Sequence, residues 1–289
     1  MGFSKKIIWL ASYPKSGNTW FRIFLSNLFA SKNEPVDIND LQDTTIASNR
    51  QLFDDLTGLS SADLTLEEIE RLRPYVYEKM TENSENLLFL KIHDAFIYTI
   101  EKKPLVSGNA SSKAIYFIRN PLDVAVSFAH HLGVPVEKSV DVMNNEKYAF
   151  CNRSDRLHNQ LEQRLLSWSG HVKSWMEQTI IPVKVLRYED MLLNTFDTFS
   201  DAIKFIGLEY SETDIYKAID FSSFNELQRQ EIDKGFKEKA PVAELFFRKG
   251  RSGTWHDELS ASCVKNIIKA HDQIMKKFHY LDESGNILQ

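Results

Sequence analysis

The sequence predicts an α/β fold of the doubly wound kind, with helices between the strands of a mainly parallel sheet. Two observations carry this. Four short runs are dense in valine, isoleucine, leucine and aromatics with little polar alternation: IIWLA at 7–11, NLLFLKIH at 86–93, KAIYFIRN at 113–120 and VKVLRY at 183–188. Such runs mark strands covered on both faces, as in parallel sheets. Between them lie segments of helical period, and strand–helix alternation implies parallel strands joined by crossovers.

Taken in order, 7–11 is the first buried strand. Residues 19–30 (TWFRIFLSNLFA) follow as a helix with Trp20, Ile23, Phe24 and Leu28 inward. Residues 31–63 are mixed and polar, an excursion from the scaffold. Residues 64–80 have helical period, with a kink or break expected at Pro74. The strands at 86–93 and 113–120 come next. Helix 120–132 starts on an asparagine cap with proline at its first position. Residues 161–178 place Leu161, Leu165, Trp168, Val172 and Trp175 on one stripe, predicting a helix over that whole range. The strand at 183–188 and an amphipathic helix at 259–278 complete the scaffold.

The 289 residues suffice to bury about three quarters of the unfolded surface, so no disulfide or metal staple is required. A net charge of −5 argues against general nucleic-acid binding, so any anion site must be a local cluster of cations. Cys151 and Cys263 have neither metal spacing nor a disulfide framework and read as reduced thiols; no structural metal is expected. No segment has the length of a membrane span. The N-terminal apolar run is too short for a signal-peptide core, and MGFSKK has Lys6 where a myristoylation signal wants Ser or Thr. The expectation is a cytoplasmic protein.

Three segments carry chemistry. YPKSGNT (13–19) joins the first strand to the first helix, at the carboxyl edge where open α/β sheets bind ligands. It is not a Walker A motif, because Lys15 precedes Gly17 and only one glycine is present. Backbone N–H groups from Ser16 to Thr19 and the positive helix start still suit an anion, with Lys15 as a mobile charge. FIRNPLDVAVS (117–127) puts Arg119 at a strand end and Ser127 on the next helix, with Asp123 on the face of Ser127; arginine grips phosphate bidentately. FFRKGRSGTW (246–255) sets Arg248, Lys249 and Arg251 among glycines and aromatics. Each alone also reads as a turn, a surface ion pair or a solvated basic loop. Together they suit a nucleotide with phosphate groups at both ends.

On these segments the chain resembles the cytosolic-type sulfotransferases, which use 3′-phosphoadenosine-5′-phosphosulfate (PAPS) and release adenosine 3′,5′-bisphosphate. YPKSGNTW is similar to their 5′-phosphosulfate loop, RNPLDVAVS to their 3′-phosphate segment, and RKGRSGTW to their R-K-G-x-x-G-D-W-K loop. The resemblance runs from residue 7 to about 256. It implies one P-loop-like, three-layer domain over 1–289, with 31–63, 94–110 and 132–158 as substrate-side excursions or lid. It implies that Lys15, Ser16, Gly17, Asn18 and Thr19 hold the 5′-phosphosulfate, with Trp20 beside the adenine. Arg119, Ser127, Arg248, Lys249 and Gly250 would hold the 3′-phosphate. RYEDM (187–191) points to Tyr188, and FSSFNEL (221–227) to Ser222 and Phe224, near the base. Thr254 and His256 stand where the family has Asp and Lys, and HDELSASCVK (256–265) does not match the family's dimerisation pattern.

LKIHDAF (90–96) brings Lys91 and His93 to the end of the second strand, where the family has K-T-H and uses the histidine as general base. Independently, imidazole is well matched to taking a hydroxyl proton at neutral pH. The resemblance implies in-line transfer of the sulfuryl group to a hydroxyl, Lys15 stabilising the leaving oxygen and Ser127 engaging Lys15 when no acceptor is present, without a metal. The acceptor is a small molecule, lipid or glycan. An ATP-dependent small-molecule kinase and a non-catalytic adenosine 3′,5′-bisphosphate-binding protein stay open at this point.

Overall fold

The computed structural model describes residues 5–82, 84–152 and 156–288. The start of MGFSKK and the centre of the 132–158 excursion, residues 153–155, lie outside the described residues. In chain order the elements begin with β1 (Ile7–Ser12), α1 (Asn18–Ala30), α2 (Arg50–Thr57), α3 (Leu66–Glu82), β2 (Leu88–Ile92) and β3 (Ser111–Ile118). Then come α4 (Pro121–Leu132), α5 (Val136–Met143), β4 (Ala149–Phe150), β5 (Gln163–Arg164), α6 (Trp168–Glu177) and β6 (Val183–Arg187). The chain finishes with α7 (Tyr188–Leu193), α8 (Thr195–Ile206), α9 (Glu212–Phe221), α10 (Phe224–Lys234) and α11 (Ala261–Lys277).

Four strands form one sheet in the order β2-β1-β3-β6. β1 and β2 pair in parallel, Ile7 opposite Leu88 through Ala11 opposite Ile92. Parallel neighbours cannot be joined by a tight turn, and the connection between β1 and β2 contains α1, α2 and α3. Every residue from Ile7 to Ala11 is fully buried, as expected of a strand without polar alternation. The chain divides into two compact units: residues 1–13, 43–116 and 146–185, and residues 14–42, 117–145 and 186–289.

In the first unit Trp9 of β1 meets Tyr77 of α3 edge-on at 5.0 Å, and its indole N–H donates to the Ser111 hydroxyl at 2.7 Å. The helix α3 runs unbroken through the buried Pro74, where a kink or break was expected. Its inner face holds the fully buried Arg73, whose two terminal nitrogens meet the Asp94 carboxylate at 3.0 and 2.6 Å. The Tyr77 hydroxyl, at 3.1 Å from Arg73 Nε, and the Glu162 carbonyl satisfy more of the guanidinium.

The helix expected over 161–178 is shorter than its stripe. The Ser167 hydroxyl accepts from the Gly170 N–H and starts α6 there. Before it, Gln163 and Arg164 pair antiparallel with Phe150 and Ala149. Leu161 and Leu165 are buried as the stripe requires, but from extended chain. The polar excursion 31–63 contains α2, whose cap is the Asn49 side chain accepting from the Leu52 N–H at 3.1 Å.

In the second unit Phe21 and Phe24 of α1 pack on Phe199 of α8 with centroids 5.1 and 4.5 Å apart. A separate cluster joins Ile23, Ile38, Leu227, Phe236 and Phe247, with Phe224 and Phe246 packed against it. This cluster underlies the basic loop that follows Phe247. Among the described residues no helix is long and apolar enough to cross a membrane.

Removing one partner of a buried ion pair strands the other charge. Asp94→Ala should therefore lower stability by about 3–5 kcal/mol in urea denaturation, well above the about 1 kcal/mol of an ordinary substitution.

Candidate active site

The second unit brings together most of the residues assigned to the anion. Lys15 and Gly17 both have left-handed backbone, at φ 69° and 99°. Gly17 caps α1 and, having no side chain, offers the first turn no side-chain acceptor of its own. A Cβ on Gly17 would come 2.8 Å from the Tyr188 ring, so only glycine fits. The Ser16 hydroxyl is buried with no hydrogen-bond partner. Asn18 and Thr19 are buried in the first turn. The Lys15 ammonium sits 3.8 Å from the centre of the Phe246 ring.

Arg119, at the end of β3, ties three segments of this unit. It donates to the Lys15 carbonyl at 3.3 Å and to the Arg251 carbonyl at 3.1 Å, and its guanidinium lies 4.3 Å from the Tyr188 ring centre. Its Nε is buried and has no hydrogen-bond partner. Burial raises the Tyr188 phenol pKa against the pull of the neighbouring guanidinium, so the ring stays neutral. Trp20 stands edge-on to Tyr188 at 6.2 Å and to Phe199 at 5.3 Å, and its indole N–H is also unpartnered.

The basic loop runs outside any helix or strand until a short 3-10 turn at Thr254–Asp257, and a side chain on α4 holds it there. The Asp123 carboxylate is fully buried and accepts from the Ser252 hydroxyl at 3.0 Å, the Gly253 N–H at 2.8 Å, the Thr254 hydroxyl at 2.8 Å and the Trp255 N–H at 3.2 Å. This accounts for threonine at 254: a carboxylate there would face Asp123 with no donor between them. His256 stacks on Trp255 at 3.7 Å. Gly250 packs under Phe224, whose ring would stand 2.2 Å from an added Cβ.

Other assigned residues are differently placed. Arg248 and Lys249 both donate to Glu258, at 2.8 and 2.7 Å. Ser127 is half-buried on α4. The Ser222 hydroxyl donates back to the Ala218 and Ile219 carbonyls of α9, which commits its proton within its own helix.

The first unit holds His93 and Lys91. Lys91 is half-buried on β2, opposite Leu10. His93 follows the strand, and its Nδ1 lies 2.9 Å from the Ser12 carbonyl and 3.3 Å from the Ser12 hydroxyl. A carbonyl oxygen only accepts, so Nδ1 carries the proton and the basic lone pair is on Nε2. Behind it, the buried His171 donates from Nε2 to the His93 carbonyl at 3.1 Å, and the Tyr116 hydroxyl donates to its Nδ1 at 2.8 Å. Burial pushes the pKa of His171 down to about 3, against the hydrogen bond to His93. Trp175 then holds the next carbonyl, that of Asp94, at 3.0 Å.

Sequence reasoning did not find Glu258, His171 or the grip of Asp123 on residues 252–255. Asp123 stood inside a quoted motif, but nothing in the sequence paired it with a loop about 130 positions away.

The strand–helix turn of residues 13–19, with Arg119 tying it to the basic loop, is the kind of turn at which α/β proteins bind anions. A model of the sulfotransferase domain matches residues 5–279, and the chain belongs to that family. It is similar to a flavonol 3-sulfotransferase from Flaveria bidentis, 27% identical over 92% of this chain and 80% of the relative. A luciferin sulfotransferase from Photinus pyralis is 25% identical over 93% and 70%. In fold the chain resembles a retinol dehydratase solved with androsterone and inactive cofactor PAP, at TM-score 0.62, 19% identity and coverage of 93% and 80%.

The depressed His171 value sets a pH dependence. Between pH 6.5 and about 3 the unfolded chain binds a proton that the native ring refuses, so this contribution is complete above pH 6.5 and falls away below it. His271, lowered to about 4 by burial, acts in the same direction. His171→Phe should therefore flatten the loss of stability on acidification by up to about 1.4 kcal/mol per pH unit, measured by urea denaturation from pH 7 to pH 4.

Proposed function

We propose that this sulfotransferase draws the sulfuryl group from PAPS and passes it to a hydroxyl of a small-molecule, lipid or glycan acceptor, and that residues 1–289 act as a single sulfotransferase domain. The observation that carries the donor assignment is that Arg119 ties the segments of Lys15 and Arg251 together through their backbone carbonyls, beside the start of α1. There, two buried polar atoms, Ser16 Oγ and Arg119 Nε, lack partners. Buried polar groups in folded proteins nearly always have partners, so orphans at such a turn point to a ligand with several acceptor oxygens. A phosphosulfate and a phosphate fit that donor set.

In this reading the backbone N–H groups of α1 and the Ser16 hydroxyl grip the 5′-phosphosulfate, and Gly17 keeps the approach open. Arg119, Arg248 and Lys249 hold the 3′-phosphate with Ser127 and Gly250. Trp20, Tyr188 and Phe224 offer aromatic surface to the adenine, and Ser222 supports it. PAPS supplies an activated sulfuryl group and a bisphosphate leaving group.

The chain's own residues do the rest. The bond from His93 Nδ1 to Ser12 fixes the tautomer, so Nε2 takes the acceptor's proton as its oxygen attacks. Lys15 places positive charge against the oxygen that departs, with the helix start adding its dipole. Lys91, on β2, is assigned to the same reaction by the family resemblance. An apolar acceptor is favoured by the exposed Tyr98 and Ile100 of the 94–110 excursion.

Turnover of labelled PAPS against a panel of phenols, alcohols, sterols and glycans is the direct test. Lys15→Ala and His93→Ala should each lower kcat by about 100-fold or more, with His93→Ala leaving nucleotide affinity within about twofold. Near-normal turnover by His93→Ala would place the base elsewhere, and transfer from ATP with magnesium but not from PAPS would overturn the assignment.

A further inference from the structure

The carboxylate of Glu258 gathers the cations that the sequence reserves for a phosphate. Its Oε1 accepts from Arg248 at 2.8 Å and from Lys249 at 2.7 Å, and its Oε2 lies 2.7 Å from His130 Nε2. Carboxylate and phosphate oxygens make the same demand on a guanidinium and an ammonium. We propose that Glu258 is an internal counter-anion: it competes with the nucleotide's 3′-phosphate for Arg248 and Lys249, and thereby weakens and tunes the grip on that phosphate. The inference rests on the assignment of these two residues to the 3′-phosphate made above.

Three features support competition over simple bracing. First, the loop already has a brace, since Asp123 takes four donors from residues 252–255. Second, Arg119, the other arginine assigned to the phosphate, donates to two neutral carbonyls, whereas Arg248 and Lys249 share one charged acceptor. Third, Glu258 is only 21% exposed, so its charge is screened less than that of Asp257, 63% exposed and 4.0 Å from Lys249. Burial would raise the Glu258 pKa, but the bonds from Lys249, His130 and Arg248 hold it down to about 2, so the carboxylate is ionised at any working pH. A phosphate dianion reaching the same cations meets this negative charge at close range. Removing the charge while keeping the shape should therefore strengthen binding.

The experiment is calorimetric titration of the full chain with adenosine 3′,5′-bisphosphate and with adenosine 5′-monophosphate, which lacks the 3′-phosphate. Glu258→Gln should lower the Kd for the bisphosphate about tenfold or more and leave that for the monophosphate within about twofold. Glu258→Ala should likewise lower the bisphosphate Kd and leave that for the monophosphate within about twofold, which covers the case of a poorly folded glutamine variant. An unchanged or higher bisphosphate Kd, or an equal gain for both nucleotides, overturns the proposal while the nucleotide assignment stands. If the wild-type chain takes up no bisphosphate, the nucleotide assignment falls and this inference falls with it. A wild-type complex in which Arg248 and Lys249 leave Glu258 for the 3′-phosphate would support it directly.

Discussion

The carboxylate of Asp123 is the interaction on which the basic loop of the second unit depends. Residues 248–253, with three cations and two glycines outside any helix or strand, have no reason of their own to adopt one position. One buried carboxylate, with room for about four hydrogen bonds, receives two hydroxyls and two amides from four successive residues. Charge-assisted bonds of this kind are roughly twice as strong as neutral ones. Because Asp123 sits in the first turn of α4, next to the strand end that carries Arg119, holding the loop also places the Arg251 carbonyl where Arg119 can reach it. The dipeptide at the start of α4 is fixed in turn: Glu189 accepts the Asn120 N–H at 3.0 Å while the Asn120 side chain caps the helix.

Charge in this acidic chain is organised by contrast rather than by excess. Arg119 spends its terminal nitrogens on backbone carbonyls, and the Lys15 ammonium lies against an aromatic face. Arg248 and Lys249, a few residues along the loop, share a carboxylate.

The histidine after β2 shows how neutral groups orient an imidazole. Its ring is oriented by a backbone carbonyl, and its own carbonyl is held by a second, neutral histidine. That second ring stays neutral because it is buried, and neutral imidazole can donate from one nitrogen and accept at the other. The groups behind these contacts lie on the two inner strands: Ser12 ends β1, and Tyr116, which holds His171, lies on β3.

By itself the sequence determined the features that depend on local pattern. β1, buried throughout, reads as an unbroken apolar run, although β6 from a similar run is mostly half-buried; proline and asparagine announced α4, and residues 15–17 mark the turn into α1. The same signals led astray where local and tertiary demands differ. Leu161 and Leu165 satisfied a helical stripe, yet the Ser167 cap and the pairing of β5 with β4 kept them extended, because burial can be met from either conformation. What only the tertiary structure decided was partnership across long sequence separations. It set Asp123 on residues 252–255, Glu258 on the cations beside it and His171 on His93. Such contacts are side-chain hydrogen bonds at irregular separations, leaving no periodicity to read, and they exist only once the fold has brought their segments side by side.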